Sequence, residues 1–120
     1  MADDVLAFLG ELEPRTWELA AWTRERVRAA DPDLAERLYR GWRGIGFRHP
    51  EAGYVCAIYP RSEWVVLLFE HGASLADPED VLLGDGRQTR FLRIEAADDD
   101  TAALIDRYVQ QAVAERLLTK

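Results

Sequence analysis

The stretch GWRGIGFRHPEAGYVCAIYPRSEWVVLLFEHG, residues 41–72, decides the fold class. It contains three runs that are rich in aromatic and β-branched residues, and the turn-forming segments HPEAG and PRSE separate them. We predict strands at about 42–48, 54–59 and 64–70. Connectors as short as these join antiparallel neighbours, so the three strands should lie side by side in one sheet.

The second and third of these strands are apolar on both faces. In the second strand, side chains that alternate along a regular strand should place Tyr54, Cys56 and Ile58 on one face and Val55, Ala57 and Tyr59 on the other. A sheet that is apolar on both faces should be covered on both. Helices can cover one face, and the other must meet a remaining helix, a partner subunit or a ligand. A homodimer through that face is the simplest partner.

Helical patterns precede the stretch. Apolar spacing predicts helices at about 4–12, capped by Asp3 or Asp4, and at about 14–30, beginning at Pro14. The segment DPDLAERLYRG, residues 31–41, begins and ends with residues that are typical of helix termini, which predicts a further helix. Its Asp is suited to the N-cap, its Pro to the first helical position and its Gly to the residue after the helix end.

A fourth strand is predicted at about 88–94, in QTRFLRI, and a last helix at about 101–118. The chain therefore runs from helices through antiparallel strands to a helix. This order predicts an α+β fold in which an antiparallel sheet of four or more strands packs against N-terminal and C-terminal helices. The length of 120 residues fits one domain, residues 1–120.

Composition excludes several classes of partner. The chain has 22 acidic and 15 basic residues, a net charge of −7, and no basic cluster of the kind that binds phosphate backbones, so we expect no nucleic-acid partner. No apolar run is long enough to span a membrane, and the acidic N-terminus does not resemble a signal peptide. A single cysteine, Cys56, allows no internal disulfide, which suits a cytoplasmic protein.

Acidic residues cluster in ASLADPEDVLLGDG, residues 73–86. A calcium loop would need alternating oxygen ligands, a central Gly and a distal Glu, and this segment lacks that pattern. Capping accounts for the same residues, with Asp77 as an N-cap, Pro78 as the first helical residue and Gly84 ending a single turn. We therefore expect Asp77 to be structural.

Glycines and aromatic residues suggest a different kind of site. Gly44 and Gly46 weaken a strand unless something approaches the backbone closely. One reading is a small-molecule or partner pocket that these glycines floor and that Trp42, Tyr54 and Trp64 wall. The other reading is a tightly packed element or a bend in the strand.

Catalytic and metal signals are weak. His49 and His71 lack the spacing of paired metal ligands, and no serine lies in a nucleophile motif. Cys56 lies inside an apolar strand with no adjacent base. We expect a non-enzymatic protein with no resident cofactor.

Two long segments carry a family resemblance. RERVRAADPDLAERLYRGWRGIGF (24–47) and VVLLFEHGASLADPEDVLLGDGRQTRFLRI (65–94) resemble the YdhG-like family of small bacterial proteins, a domain of unknown function. The most specific part of the resemblance is the string of residues Gly72, Leu75, Asp77, Pro78, Leu82, Leu83, Gly84, Gly86 and Arg90. The resemblance implies an α+β fold of frataxin-like appearance, and some members are described as frataxin-like iron chaperones.

The leading hypothesis for function is a binding module for an unknown small molecule or protein. The alternative is an intracellular iron chaperone that uses surface carboxylates, since iron accepts hard oxygen ligands. Acidic residues available on the first two helices are Asp3, Asp4, Glu11, Glu13, Glu18 and Glu25. Only Glu18 and Glu25 share a helix face, about 10 Å apart, so one ion could not bridge them and any binding should be weak.

Overall fold

The computed structural model of the protein describes residues 2–119, with side chains from residue 4 onward. Helices α1 (Ala2–Gly10) and α2 (Pro14–Ala30) come first. The strands follow as β1 (Ala35–Tyr39), β2 (Gly44–His49), β3 (Gly53–Pro60), β4 (Val65–Phe69) and β5 (Arg90–Ile94), and helix α3 (Asp99–Thr119) ends the chain. Single 3₁₀ turns lie at Arg40–Trp42 and Gly72–Ser74.

The strands form one antiparallel sheet in the order β1-β2-β3-β4-β5. The predicted α+β class, with helices from both ends of the chain against an antiparallel sheet, is confirmed. Among the helices of residues 2–119, none has the length and hydropathy needed to cross a membrane.

The helix predicted after Asp31 is wrong. The Asp31 carboxylate accepts the N–H of Asp33 at 2.9 Å, and its carbonyl accepts the N–H of Leu34 at 3.2 Å, so the aspartate closes a turn. Residues 35–39 then extend as β1 and pair along their whole length with β2. Asp and Pro are common both in turns and at helix starts. Here pairing with the neighbouring strand favoured the turn followed by a strand.

The first helix also begins earlier than predicted. Because α1 starts at Ala2, Asp4 lies within its first turn and is not a cap. The side chain of Asp3, the other predicted cap, lies outside the described residues.

A β-bulge changes the predicted face of one tyrosine. Phe47 pairs with Cys56, but the next residue, Arg48, pairs with Tyr54, so Val55 is the extra residue. Tyr54 consequently does not share a face with Cys56 and Ile58, as regular alternation predicted. It lies on the face opposite the helices, where its ring lies beside Gly46.

All three helices lie on one side of the sheet. α2 and α3 pack against each other and against β3, and α1 packs against α2 and β1. The fully buried large side chains of this layer are Tyr108, Phe8, Phe47, Phe69, Leu9, Ile45, Ile58, Leu67, Ile94, Ile105, Val5 and Val27. No helix within residues 2–119 lies against the opposite side, which we call the outer face.

One ion pair is enclosed between α2 and the sheet. Nε and Nη2 of Arg24 each donate to a carboxylate oxygen of Glu36 at 2.8 Å. The Arg24 side chain is 8% exposed and that of Glu36 is 15% exposed. The hydrogen bond to Glu36 is the main reason that the pKa of Arg24 is raised, so the pair stays ionised. It fastens the edge strand β1 to the helical layer.

Residues 77–80 form a turn and not the predicted helical turn. The N–H of Asp80 donates to the carbonyl of Asp77 at 3.0 Å, and Asp80 adopts a left-handed φ of 56°. The carboxylate of Asp77 accepts the N–H groups of Val81 and Leu82 at 3.0 and 2.9 Å. Asp77 thus supports the local backbone as a cap would, although no helix follows.

Candidate functional site

The outer face of the sheet is largely apolar and uncovered by helices. Strand pairing places the following side chains on it: Arg37, Tyr39, Arg48, Tyr54, Ala57, Tyr59, Val66, Leu68, Phe91 and Arg93. Tyr39, Tyr54, Tyr59, Leu68 and Phe91 are half-buried. A surface of this kind is typical of an interaction site.

Two glycines let tyrosine rings lie flat on this face. A Cβ at Gly44 would collide with the ring of Tyr59, and one at Gly46 would lie 2.6 Å from Cε2 of Tyr39 and 3.1 Å from Cε2 of Tyr54. No larger residue fits under the rings. The two glycines therefore leave room for tyrosine rings, and the rings cover this part of the outer face.

The tyrosines continue into an exposed tryptophan. The rings of Tyr39 and Trp42 stack with centroids 6.1 Å apart and planes 25° apart, and Tyr39 meets Tyr54 edge-on at 6.4 Å. Trp42 is 71% exposed. It lies in the 3₁₀ turn and not in a strand as predicted, and Arg43, with a left-handed φ of 52°, connects that turn to β2.

Tyr54 remains a neutral phenol over the physiological range. Burial raises its pKa above the ordinary value, and the neighbouring Tyr59 and Glu70 raise it further. The outer face thus offers a hydrogen-bonding hydroxyl here and no phenolate.

A cleft of about 650 Å³ runs across the outer face. Its lining residues are Trp42, Tyr59, Arg61, Val66, Leu68, Gly84, Asp85, Gly86, Thr89 and Phe91. The volume lies in the range of small-molecule sites, about 300–1,000 Å³. A neighbouring cleft of about 530 Å³, lined by Glu11 and Glu13 among others, shares Trp42 and Arg61 with it, so these two side chains form the wall between the clefts.

The loop before β5 closes one side of the cleft. Leu83 and Phe91 exchange backbone hydrogen bonds of 2.8 and 2.9 Å. Nη1 of Arg90 donates to the carbonyls of Gly86 and Thr89 at 2.6 and 2.7 Å, which holds the loop closed. These contacts give the cleft a fixed rim.

The residues predicted to form a pocket are divided by the structure. Trp42 lines the cleft, while Gly44 and Gly46 lie beneath tyrosine rings and Tyr54 covers one of them. Trp64 lies on the same face but apart from the cleft, with the guanidinium carbon of Arg93 4.0 Å from its ring centroid.

Sequence reasoning missed the other cleft residues. Arg61 lies in the turn between β3 and β4, which carries no motif, and Thr89 lies just before β5 and not in it as predicted. Tyr59 had a usable signal. It faces Gly44 across the β2–β3 pair, and an aromatic residue opposite a strand glycine is a recurrent packing device.

The predicted iron ligands do not converge. Glu25 is paired with Arg24 at 3.4 Å and with Arg28 at 3.3 Å. Glu18 lies in a separate shallow cleft with Arg15 and Glu95.

Asp31, Asp33 and His49 form a compact group that the sequence did not reveal, with one potential ligand atom each within 4.8 Å of one another. However, Nδ1 of His49 accepts the N–H groups of Glu51 and Ala52, both at 3.1 Å, so the neutral ring keeps its proton on Nε2. A ligating histidine normally donates its second N–H, which is the opposite arrangement. The geometry therefore favours a role in holding two turns together.

Nucleophilic chemistry finds no support at Cys56. The thiol is fully buried, and burial raises its pKa, which disfavours the reactive thiolate.

No protein-family model, curated protein or solved structure matches this chain.

Proposed function

We propose that the chain is a non-enzymatic binding module whose binding surface is the cleft on the outer face of the sheet. The observation that carries the proposal is the placement of all three helices on one side, which leaves an aromatic, glycine-floored face open to solvent. Trp42, 71% exposed beside a cleft of about 650 Å³, is the residue most available to a partner. The single cysteine of the chain is buried, which agrees with action in the cytoplasm.

A small molecule fits the surface better than a second copy of the chain. A symmetric face-to-face dimer would bring Arg37, Arg48 and Arg93 of both copies into one interface. Like charges opposed across an interface disfavour association. The cleft, in contrast, already has the size of a ligand site.

The proposal is tested with a neutral aromatic probe, N-phenylnaphthylamine, whose fluorescence increases in an apolar site. We expect saturable binding with one site per chain, weakened about tenfold in Trp42→Ala, because the probe loses a stacking wall. Trp17→Ala is the matched control, since Trp17 is 44% exposed on α2 and does not line the cleft. Absence of saturable binding, or binding that Trp42→Ala leaves unchanged, would refute the proposed cleft. Light scattering in parallel reports a dimer if one forms.

Iron carriage is the second candidate, supported by the family resemblance and by the proximity of Asp31, Asp33 and His49. It ranks lower because the ring nitrogens of His49 are arranged for hydrogen bonding, and because Glu25 is occupied by two arginines.

A further inference from the structure

The outer face carries an excess of positive charge in a protein whose net charge is −7. The charged side chains that the strands place there are Arg37, Arg48 and Arg93. The acidic residue of β1, Glu36, points to the helical side, where Arg24 holds it. The strands therefore place only positively charged side chains on the outer face.

Connecting segments add charges of both signs to this face. Arg61 and Asp85 line the cleft, and Glu70 lies close enough to Tyr54 to raise its pKa. Arg93 is paired with Glu95 at 3.2 Å. Within residues 4–119, Arg37, Arg48 and Arg61 have no carboxylate within ion-pair distance.

Among the residues that the structure describes, Arg61 is the one cation that lines the cleft. Its backbone N–H donates to the carbonyl of Trp64 at 2.8 Å, which fixes the position of the residue in the β3–β4 turn. Its side chain is exposed and makes no hydrogen bond to any residue that the structure describes. An arginine anchored by its backbone with a free guanidinium is suited to bind a carboxylate, sulfonate or phosphate group in two-point fashion.

The rest of the cleft is shaped for a flat apolar body. It runs from Trp42 at one end to Phe91 at the other, over a floor that Tyr59, Val66 and Leu68 provide. Aromatic walls favour planar rings, because offset stacking adds to the burial of apolar area. Asp85 on the loop rim is the one carboxylate of residues 4–119 that lines the cleft, and it disfavours ligands with several negative charges.

We propose that the cleft binds a small planar aromatic molecule that carries one negative charge, with its ring against Trp42 and its anionic group at Arg61. The inference rests on the proposed function and adds the chemical class of ligand to it. The fit comes from charge complementarity at Arg61 together with the aromatic walls.

The experiment compares two probes that differ by one group. Anilinonaphthalene sulfonate carries the negative charge, and N-phenylnaphthylamine is the same ring system without it. In the wild-type protein we expect the sulfonate to bind about tenfold more tightly than the neutral probe. This is the gain in affinity expected from one charge-assisted hydrogen bond. Native near-ultraviolet circular dichroism and a stoichiometry of one confirm that the probes report on the folded protein.

Arg61→Gln is the deciding variant. It should remove the preference for the sulfonate and leave the neutral probe unchanged, while Trp42→Ala weakens both probes. Arg28→Gln changes the net charge equally at a site on α2 and should leave the preference intact.

The outcomes separate the two proposals. If the neutral probe binds in a Trp42-dependent way but the sulfonate binds no better, the anion preference is wrong and the binding module stands. If Arg28→Gln removes the preference as fully as Arg61→Gln does, net charge and not Arg61 attracts the sulfonate, and the inference is again overturned. Absence of Trp42-dependent binding by either probe refutes both proposals.

Discussion

The hydroxyl of Tyr108 donates a 2.6 Å hydrogen bond to Oδ1 of Asp77, and this contact joins the loop after β4 to helix α3. The ring of Tyr108 is fully buried against the sheet, with Phe69 6.2 Å away, so the tyrosine connects the core to the loop. Arg107 reinforces the connection, because its guanidinium donates to the Tyr108 hydroxyl at 3.0 Å and to Glu79 at 2.8 Å. The loop that precedes the cleft rim thus depends on one carboxylate.

We predict that Asp77→Ala lowers the free energy of unfolding by about 1–3 kcal/mol, since two backbone N–H groups and one phenol lose a charged acceptor. Tyr108→Phe should cost less, because it keeps the ring. Urea denaturation of both variants and of the double variant measures the coupling free energy between Asp77 and Tyr108. We expect this coupling to be positive, because the two side chains are in direct contact. Additive effects would show that the hydrogen bond contributes nothing to stability.

Acid should weaken the protein through the same carboxylate. Partial burial disfavours ionisation of Asp77, but the hydrogen bonds from Tyr108, Leu82 and Val81 outweigh it and hold its pKa below the ordinary value. A group whose folded-state pKa is depressed stabilises fully above its unfolded pKa, about 3.9. That stability is lost as the pH falls through the lower folded-state pKa.

Asp77→Asn should therefore flatten the loss of stability below about pH 4, measured as the change in unfolding free energy between neutral and acidic pH. Asp98 has a lowered pKa for a similar reason, its hydrogen bonds with Thr101, so some acid sensitivity should remain. Glu63→Gln, at an exposed position, is the control. Identical pH profiles for wild type and Asp77→Asn would contradict the assignment.

Alanine at Gly44 or Gly46 should displace the tyrosine rings of the outer face. We expect each variant to lose about 1–3 kcal/mol, because the added methyl group meets a ring that lies flat on the sheet. The near-ultraviolet circular dichroism of the aromatic residues should change as well. Gly41→Ala is the matched control, since a Cβ there would meet no atom within 4 Å. Equal effects at all three glycines would show that the rings do not limit these positions.

Segments with a local sequence signal were predicted correctly, and a segment whose structure depends on distant residues was not. Strands β2 to β5 were found from local runs of aromatic and β-branched residues, and helix α3 from the local spacing of its apolar residues. Residues 35–39 were misassigned because Asp31 and Pro32 fit a helix start and a turn equally well. Pairing with β2 decided the outcome, and it involves residues about ten positions later in the chain.

The candidate site was harder to predict for a similar reason. The bulge at Val55 moves Tyr54 to the outer face, and no local pattern marks a bulge in an apolar strand. Gly44 and Gly46 were recognised as unusual because glycine weakens a strand, and Trp42 was predicted as a pocket wall within a strand. Arg61 and Phe91 meet in one cleft only through the strand order, which the sequence does not state directly.

The buried ion pair offers a test of how β1 is held. Arg24→Met should lower the free energy of unfolding by about 3–5 kcal/mol, because it leaves the Glu36 carboxylate enclosed without a partner. The double variant Arg24→Met with Glu36→Met should recover most of the loss, since an apolar pair needs no desolvation. Arg26→Met is the control, because the side chains of Arg26 and Asp106, which form an ion pair, are 34% and 39% exposed. A pair this exposed should contribute no more than about 1 kcal/mol. A small effect at Arg24 would mean that water reaches Glu36.

Ferrous iron should bind only weakly. Glu18 and Glu25 lie two helical turns apart, about 10 Å, which is too far for one ion to contact both. Glu25 is engaged by Arg24 and Arg28. The more compact group at Asp31, Asp33 and His49 would have to give up the hydrogen bonds that His49 accepts, or lose the proton on its other nitrogen.

Anaerobic calorimetry with ferrous iron should therefore give small heats that fit no defined stoichiometry. Two variants locate a site if one exists. Glu18→Gln with Glu25→Gln removes the helix carboxylates, and Asp31→Asn with Asp33→Asn removes those of the turn beside His49. A one-site isotherm at micromolar affinity that one of these pairs abolishes would overturn the ranking of functions and identify the site. Zinc serves as the comparison ion, because the preference for zinc over ferrous iron should be larger at a ligand set containing histidine than at carboxylates alone.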